Sequence, residues 1–166
     1  NIKKRSNIKS EIIFTNNNII FNYIKLTEDK NLISINELKL NRKKELTSIS
    51  DIEVRTLNEN EENNNFKIFF KKKISIVGKK YDATNLLKLL TNDSNTNLLK
   101  NFTKEVEIKL ESLITKQKTP LSDFNLIGQI KRGKFEKLSA KSEFSKNEYL
   151  DISLKKNKNN KQILEI

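Results

Sequence analysis

Apolar residues recur at every second position through most of the C-terminal half of the chain, in short runs separated by polar turns. Val106, Ile108 and Leu110 alternate with Glu105, Glu107, Lys109 and Glu111. The device repeats with Phe124, Leu126 and Ile130, then Leu138, Ala140 and Phe144, then Leu150, Ile152 and Leu154. Successive side chains on a strand point to opposite faces, so each run has one apolar and one polar face. Four such runs joined by short turns predict an antiparallel meander with a continuous apolar side, within a strand region spanning residues 102–166.

The first 78 residues show the same period with more irregularity. From Asn18 to Thr27, Ile20, Ile24 and Leu26 share one parity and Ile19, Phe21 and Tyr23 the other, so this strand is apolar on both sides or ambiguous in phase. Ile33 and Ile35 open a further strand that Leu38 and Leu40 finish in the other parity, which predicts a bulge near Glu37. Ile49, Ile52 and Val54 predict a strand ending near Leu57. Residues 58–65 (NENEENNN) are polar and of low complexity, and read as a loop. Phe66, Ile68, Phe70, Ile74 and Ile76 then restore the alternation up to Gly78.

One segment breaks the rhythm. Asp82 followed by Ala83, Leu86, Leu87, Leu89 and Leu90 reads as an N-cap and a short amphipathic helix over 82–91, because Asp accepts from the free amides of a first turn. The region of that helix is also the one place where a parallel crossover can fit. The predicted class is therefore mainly β: an elongated, curved antiparallel sheet with one short α-helix, forming one segment of a longer protein. An apolar face shared by eight or nine strands needs a cover, since large exposed apolar patches are rare on soluble monomers. The candidates are a second layer of the same chain, as in a sandwich, a partner protein, or a long apolar ligand.

Composition narrows the chemistry. The 166 residues do not begin with Met, and the chain reads as a fragment or a processed product. Apolar residues make up 35% and charged residues 33%, a thin supply for a large closed core. The net charge of +12 fits an anionic partner, either nucleic acid or an acidic lipid surface, and fits equally well a Lys-rich codon bias on solvent-facing positions. No run of apolar residues approaches membrane-spanning length, so an anchor would have to lie outside this sequence. With no His and no Cys, His- or Cys-based nucleophilic machinery and the usual zinc ligand sets are excluded, and no cofactor is expected.

Three motifs invite catalytic readings and lose them. Gly128 to Phe135 has the glycine and lysine spacing of a phosphate-binding loop. Phe135 stands where that loop needs a Ser or Thr for magnesium, and alternating strands flank the motif where a helix should follow, so Gly133 reads as a hairpin turn residue. Glu105, Glu107 and Glu111 line up on one strand face, but Lys109 lies among them and the face is the wet one. Asp82 stands where a cap belongs.

Two stretches carry a family resemblance. Residues 74–90 (ISIVGKKYDATNLLKLL) close a strand with Gly78, place Tyr81 and Asp82 in a Gly-x-x-hydrophobic-Asp turn, and open a leucine-rich helix; residues 121–154 run through a meander of short amphipathic strands to Tyr149-Leu-Asp-Ile-Ser-Leu154. Together they resemble the AsmA-like superfamily of bacterial envelope proteins, most of all its large YhdP-type members, over roughly residues 60–166. The chain departs from that family in its extreme Lys and Asn content. The resemblance implies a non-enzymatic periplasmic protein, anchored in the inner membrane through regions absent here, whose open apolar groove carries phospholipid to the outer membrane. Val106, Ile108, Leu110, Phe124, Leu126, Ile130, Leu138, Phe144, Leu150, Ile152 and Leu154 would then line the groove against acyl chains. The bland alternative is that the same residues form an ordinary sandwich core.

Two rival functions follow from the same residues. One is a structural spacer of the envelope. The other is a basic nucleic-acid-binding β domain, supported by Lys71-Lys72-Lys73, Lys79-Lys80 and the cluster Lys155, Lys156 and Lys158. Single-strand readers interleave such cations with stacking aromatics, whereas here the Phe and Tyr mostly fall in phase with the aliphatic face. Phospholipid acyl chains, rather than nucleic acid, are the expected partner.

Overall fold

A computed structural model describes residues 5–85, 103–116, 119–132, 134–145, 148–157 and 161–166. The described residues are mainly β and contain twelve strands, with no helix among them. Residues 86–91 of the expected helix lie outside the described residues. Asp82 ends a strand, and its carboxylate accepts the Thr84 amide at 3.0 Å together with the Thr84 hydroxyl. The chain divides into two compact units, Asn1–Lys71 and Lys72–Ile166.

The first unit holds β1 (Ser6–Phe14), β2 (Asn18–Glu28), β3 (Asn31–Asn41), β4 (Leu46–Ser48), β5 (Asp51–Asn58) and β6 (Glu61–Phe70). They pair antiparallel in the order β1-β2-β3-β5-β6, with β4 beside β3. The parity change read in this region has a structural cause. Between Glu11 and Ile12 the register of β1 on β2 slips past Asn22, and Glu37 on β3 has φ 51°. On β1, Ile8, Ser10, Ile12 and Phe14 share a face by simple alternation. Their partners Leu26, Ile24, Phe21 and Ile19, and beyond these Ile33, Ile35, Leu38 and Leu40, therefore share it too. The bulge thus gathers both parities of β2 and β3 onto one side. The β2–β3 register itself runs through Glu37 without a shift.

The loop expected over 58–65 is mostly strand. Only Glu59 (φ 51°) and Asn60 (φ 71°) form the turn, a two-residue hairpin of the type with both central residues left-handed. Asn63 and Asn64 are held in β6 by hydrogen bonds with the Thr56 hydroxyl across the pair, at 2.7 and 2.9 Å. Polar side chains that satisfy each other on the sheet surface leave no apolar period to read.

The second unit holds β7 (Ile74–Asp82), β8 (Lys104–Ile114), β9 (Pro120–Lys131), β10 (Lys134–Ser145), β11 (Glu148–Lys156) and β12 (Gln162–Glu165), paired in chain order. Strands β8 to β12 form the antiparallel meander. Strand β7 runs past Gly78, where the sequence reading ended it, because it pairs parallel with β8 from Ile74↔Val106 to Asp82↔Ile114. This is the crossover for which the sequence left room. The alternation from Phe66 to Gly78 belongs to two strands, separated by a bend at Lys71–Lys73. In each unit, every extensive strand contact among the described residues joins hydrogen-bonded neighbours, so no second sheet is laid over either face.

Candidate functional site

Cross-strand register, rather than position in sequence, assembles the apolar face of the second unit. One line of direct partners runs Ile74, Val106, Gly128, Leu138, Leu154 and Leu164 from β7 to β12. A second runs Ile76, Ile108, Leu126, Ala140 and Ile152. In a third, Leu110 faces Phe124, and Ser142 faces Leu150. Residues paired this way lie within side-chain reach on one face.

Exposure across this face is graded. Val106, Leu110, Phe124 and Ala140 are buried; Ile108, Leu126, Ile130, Leu138, Leu150, Ile152 and Leu154 are half-buried; Leu164 is 58% exposed. Ser142, the one buried polar residue among those described, donates its hydroxyl to the Ser122 carbonyl at 2.6 Å, so its presence in the face leaves no polar atom unpaired. Of the eleven residues expected to line a groove, ten thus lie half-buried or buried. Phe144 is 40% exposed, at the end of β10 where the pairing to β11 slips between Glu143 and Ser145. Ile74, Ile76, Phe135, Ala140 and Leu164 also belong to the face.

Phe135 reaches the face through an irregularity. It pairs with Ile130, the register then shifts before Lys137, and Glu136 is the extra residue. The phenyl ring lies over Gly128: a Cβ built on that glycine would come within 2.8 Å of Phe135 Cε1 and 3.3 Å of Leu138 Cβ. Gly128 is therefore a paired strand residue beneath an aromatic lid. A phosphate-binding loop needs a helix after the strand, and here β10 follows β9, which excludes that reading. Gly133 lies outside the described residues.

The opposite face is polar and ion-paired. Glu107 accepts from Lys109 at 2.8 Å and from Lys73, and these hydrogen bonds lower its pKa from 4.5 to about 2. A carboxyl that stays ionised at neutral pH has no proton to donate as a general acid. Glu105 and Glu111 are exposed strand residues. Among the described residues no group of three or more His, Cys, Asp or Glu is placed to hold a metal ion. Two of the basic clusters are partly engaged: Lys73 pairs with Glu107, Lys155 with Glu165 at 2.7 Å, and Lys156 with Glu136 at 2.8 Å. Ile127 and Tyr149 stand exposed on this polar side, at 67% and 65%.

Comparisons of the chain with protein-family models, curated proteins and solved structures find no match.

Proposed function

We propose that the apolar face of the second unit is a surface for phospholipid acyl chains. The chain is then a non-enzymatic segment of an AsmA-like, inner-membrane-anchored periplasmic protein, with an elongated, curved sheet around an open groove that passes phospholipid towards the outer membrane. The observation that supports this most is the run of apolar partners across six strands, over which no second strand layer lies among the described residues. Acyl chains are flexible, apolar and long enough to follow such lines, and their contact removes water from half-buried β11 and exposed Leu164 of β12. The pairing of Lys73, Lys155 and Lys156 with carboxylates supports the choice of lipid over nucleic acid, since it leaves fewer free cations for phosphates.

The test is lipid occupancy measured by mass spectrometry on the full chain purified from a bacterial envelope, alongside its thermal unfolding. Wild type and the polar-face variant Glu111→Lys should carry phospholipid. Ile152→Asp and Ile108→Asp should remain folded and lose it, because an unpaired carboxylate among hydrocarbon chains is costly. Unfolding of both Asp variants, with no lipid on wild type, would make this a closed structural β domain. Tight, salt-sensitive binding of single-stranded nucleic acid without lipid would favour the basic binding module.

A further inference from the structure

The β9–β10 hairpin closes one end of the apolar face, and its chemistry differs from the rest. A cavity of about 510 Å³ opens there between the hairpin, Lys156 of β11 and Gln162 of β12. Its cations are Lys131, Arg132, Lys134 and Lys156, against the single carboxylate of Glu136. That carboxylate holds Lys156 at 2.8 Å and stands 3.9 Å from Lys131. The side chains of Arg132 and Lys134 make no ion pair among the described residues, so the site keeps uncompensated positive charge. Gln162 donates to the Phe135 carbonyl at 2.9 Å, which ties β12 to the hairpin. Phe135 is the apolar residue lining this cationic site, and its direct partner Ile130 stands at the end of the apolar face.

We infer that this hairpin binds the phosphate of an anionic phospholipid headgroup, with the acyl chains running from Phe135 and Ile130 along the apolar lines of the sheet. The inference rests on the lipid reading above and adds to it the headgroup class and where it docks. Cations beside an apolar surface match the two halves of such a lipid, and a soluble phosphate compound would use only one of them.

The experiment incubates the full chain with vesicles of phosphatidylcholine alone, or of phosphatidylcholine with phosphatidylglycerol, and measures the lipid retained; a third arm titrates glycerol phosphate. Wild type should retain phosphatidylglycerol preferentially and bind glycerol phosphate weakly. Arg132→Asn with Lys134→Ser should lower phosphatidylglycerol retention by about thirtyfold, the effect expected of two cations near an anionic lipid surface, and leave phosphatidylcholine unchanged. Asn is chosen because Arg132 has φ 52°, which a short polar side chain tolerates. Glu136→Gln removes the one negative charge and should shift retention the opposite way, so the inference does not depend on one variant folding. Equal retention of both lipids, unmoved by these changes, would overturn the headgroup site and leave the acyl-chain surface standing. Retention of neither lipid would overturn both. Tight glycerol phosphate binding without lipid would make the hairpin a site for soluble phosphates.

Discussion

Gly128 and Phe135 show how one residue choice sets local packing. Glycine weakens a strand by roughly 0.5–1 kcal/mol, yet here its missing side chain is the space the phenyl ring occupies. Gly128→Ala gains strand propensity and collides with Cε1 of the ring at 2.8 Å, and overpacking costs typically ~1–3 kcal/mol. The net expectation is a loss of about 1 kcal/mol in denaturant unfolding. On a Phe135→Ala background the same change should reverse sign and stabilise, and equal effects on both backgrounds would show that the ring is not what requires glycine. Glu107 supplies a second test at this scale. Its pKa is lowered in the folded chain, so its contribution is present above the unfolded value of 4.5 and is lost as pH falls towards about 2. Glu136 and Glu165, also lowered by their lysine partners, act in the same direction. Stability should fall between about pH 4.5 and pH 2, less steeply in Glu107→Gln, as followed by thermal melts at low ionic strength.

Single elements were legible to the extent that their apolar residues kept phase. The alternating runs read at 106–110, 124–130, 138–144 and 150–154 fall within β8, β9, β10 and β11, because one-sided burial imposes the period directly. β6 was half hidden, since Asn63 and Asn64 bond to the Thr56 hydroxyl across the pair and carry no apolar period. Phe135 was missed for a related reason: a bulge moves an odd-numbered residue onto the even-numbered face, and nothing local in the sequence announces it. The β5–β6 turn makes a prediction at this scale. Glu59 and Asn60 both hold left-handed backbone, which costs an ordinary side chain roughly 1–2 kcal/mol. Glu59→Asn with Asn60→Gly should therefore stabilise the first unit by about 1 kcal/mol, read as a higher midpoint with an unchanged denaturant slope. No gain would mean that the turn is relaxed as it stands.

At the scale of the whole molecule the two units differ in what holds them. Every buried apolar residue among those described, Ile74, Val106, Leu110, Phe124 and Ala140, belongs to the second unit. In the first, Ile8 is 70% and Phe14 73% exposed, and the remaining apolar residues are at best half-buried. Backbone pairing without burial gives little protection against local opening. Amides of β2, β3, β5 and β6 should thus exchange with deuterium well before those of β8, β9 and β10, and unfolding should show more than one transition. Uniform protection and a single transition would show that both units draw on one cooperative core.

The sequence by itself determined the class, most strand positions, the sidedness of the strands in the C-terminal meander and the lack of His- or Cys-based chemistry, because alternation and composition are local properties. It also marked the one region where a parallel crossover fits. Tertiary structure decided which strands become neighbours, and so that Ile74 and Ile76 extend the face, that Phe135 lies over Gly128, and that Arg132, Lys134 and Lys156 meet at one hairpin. Those outcomes depend on register between residues far apart in the chain. A slip of one residue in pairing sends each side chain to the other face, and only the folded sheet fixes that choice.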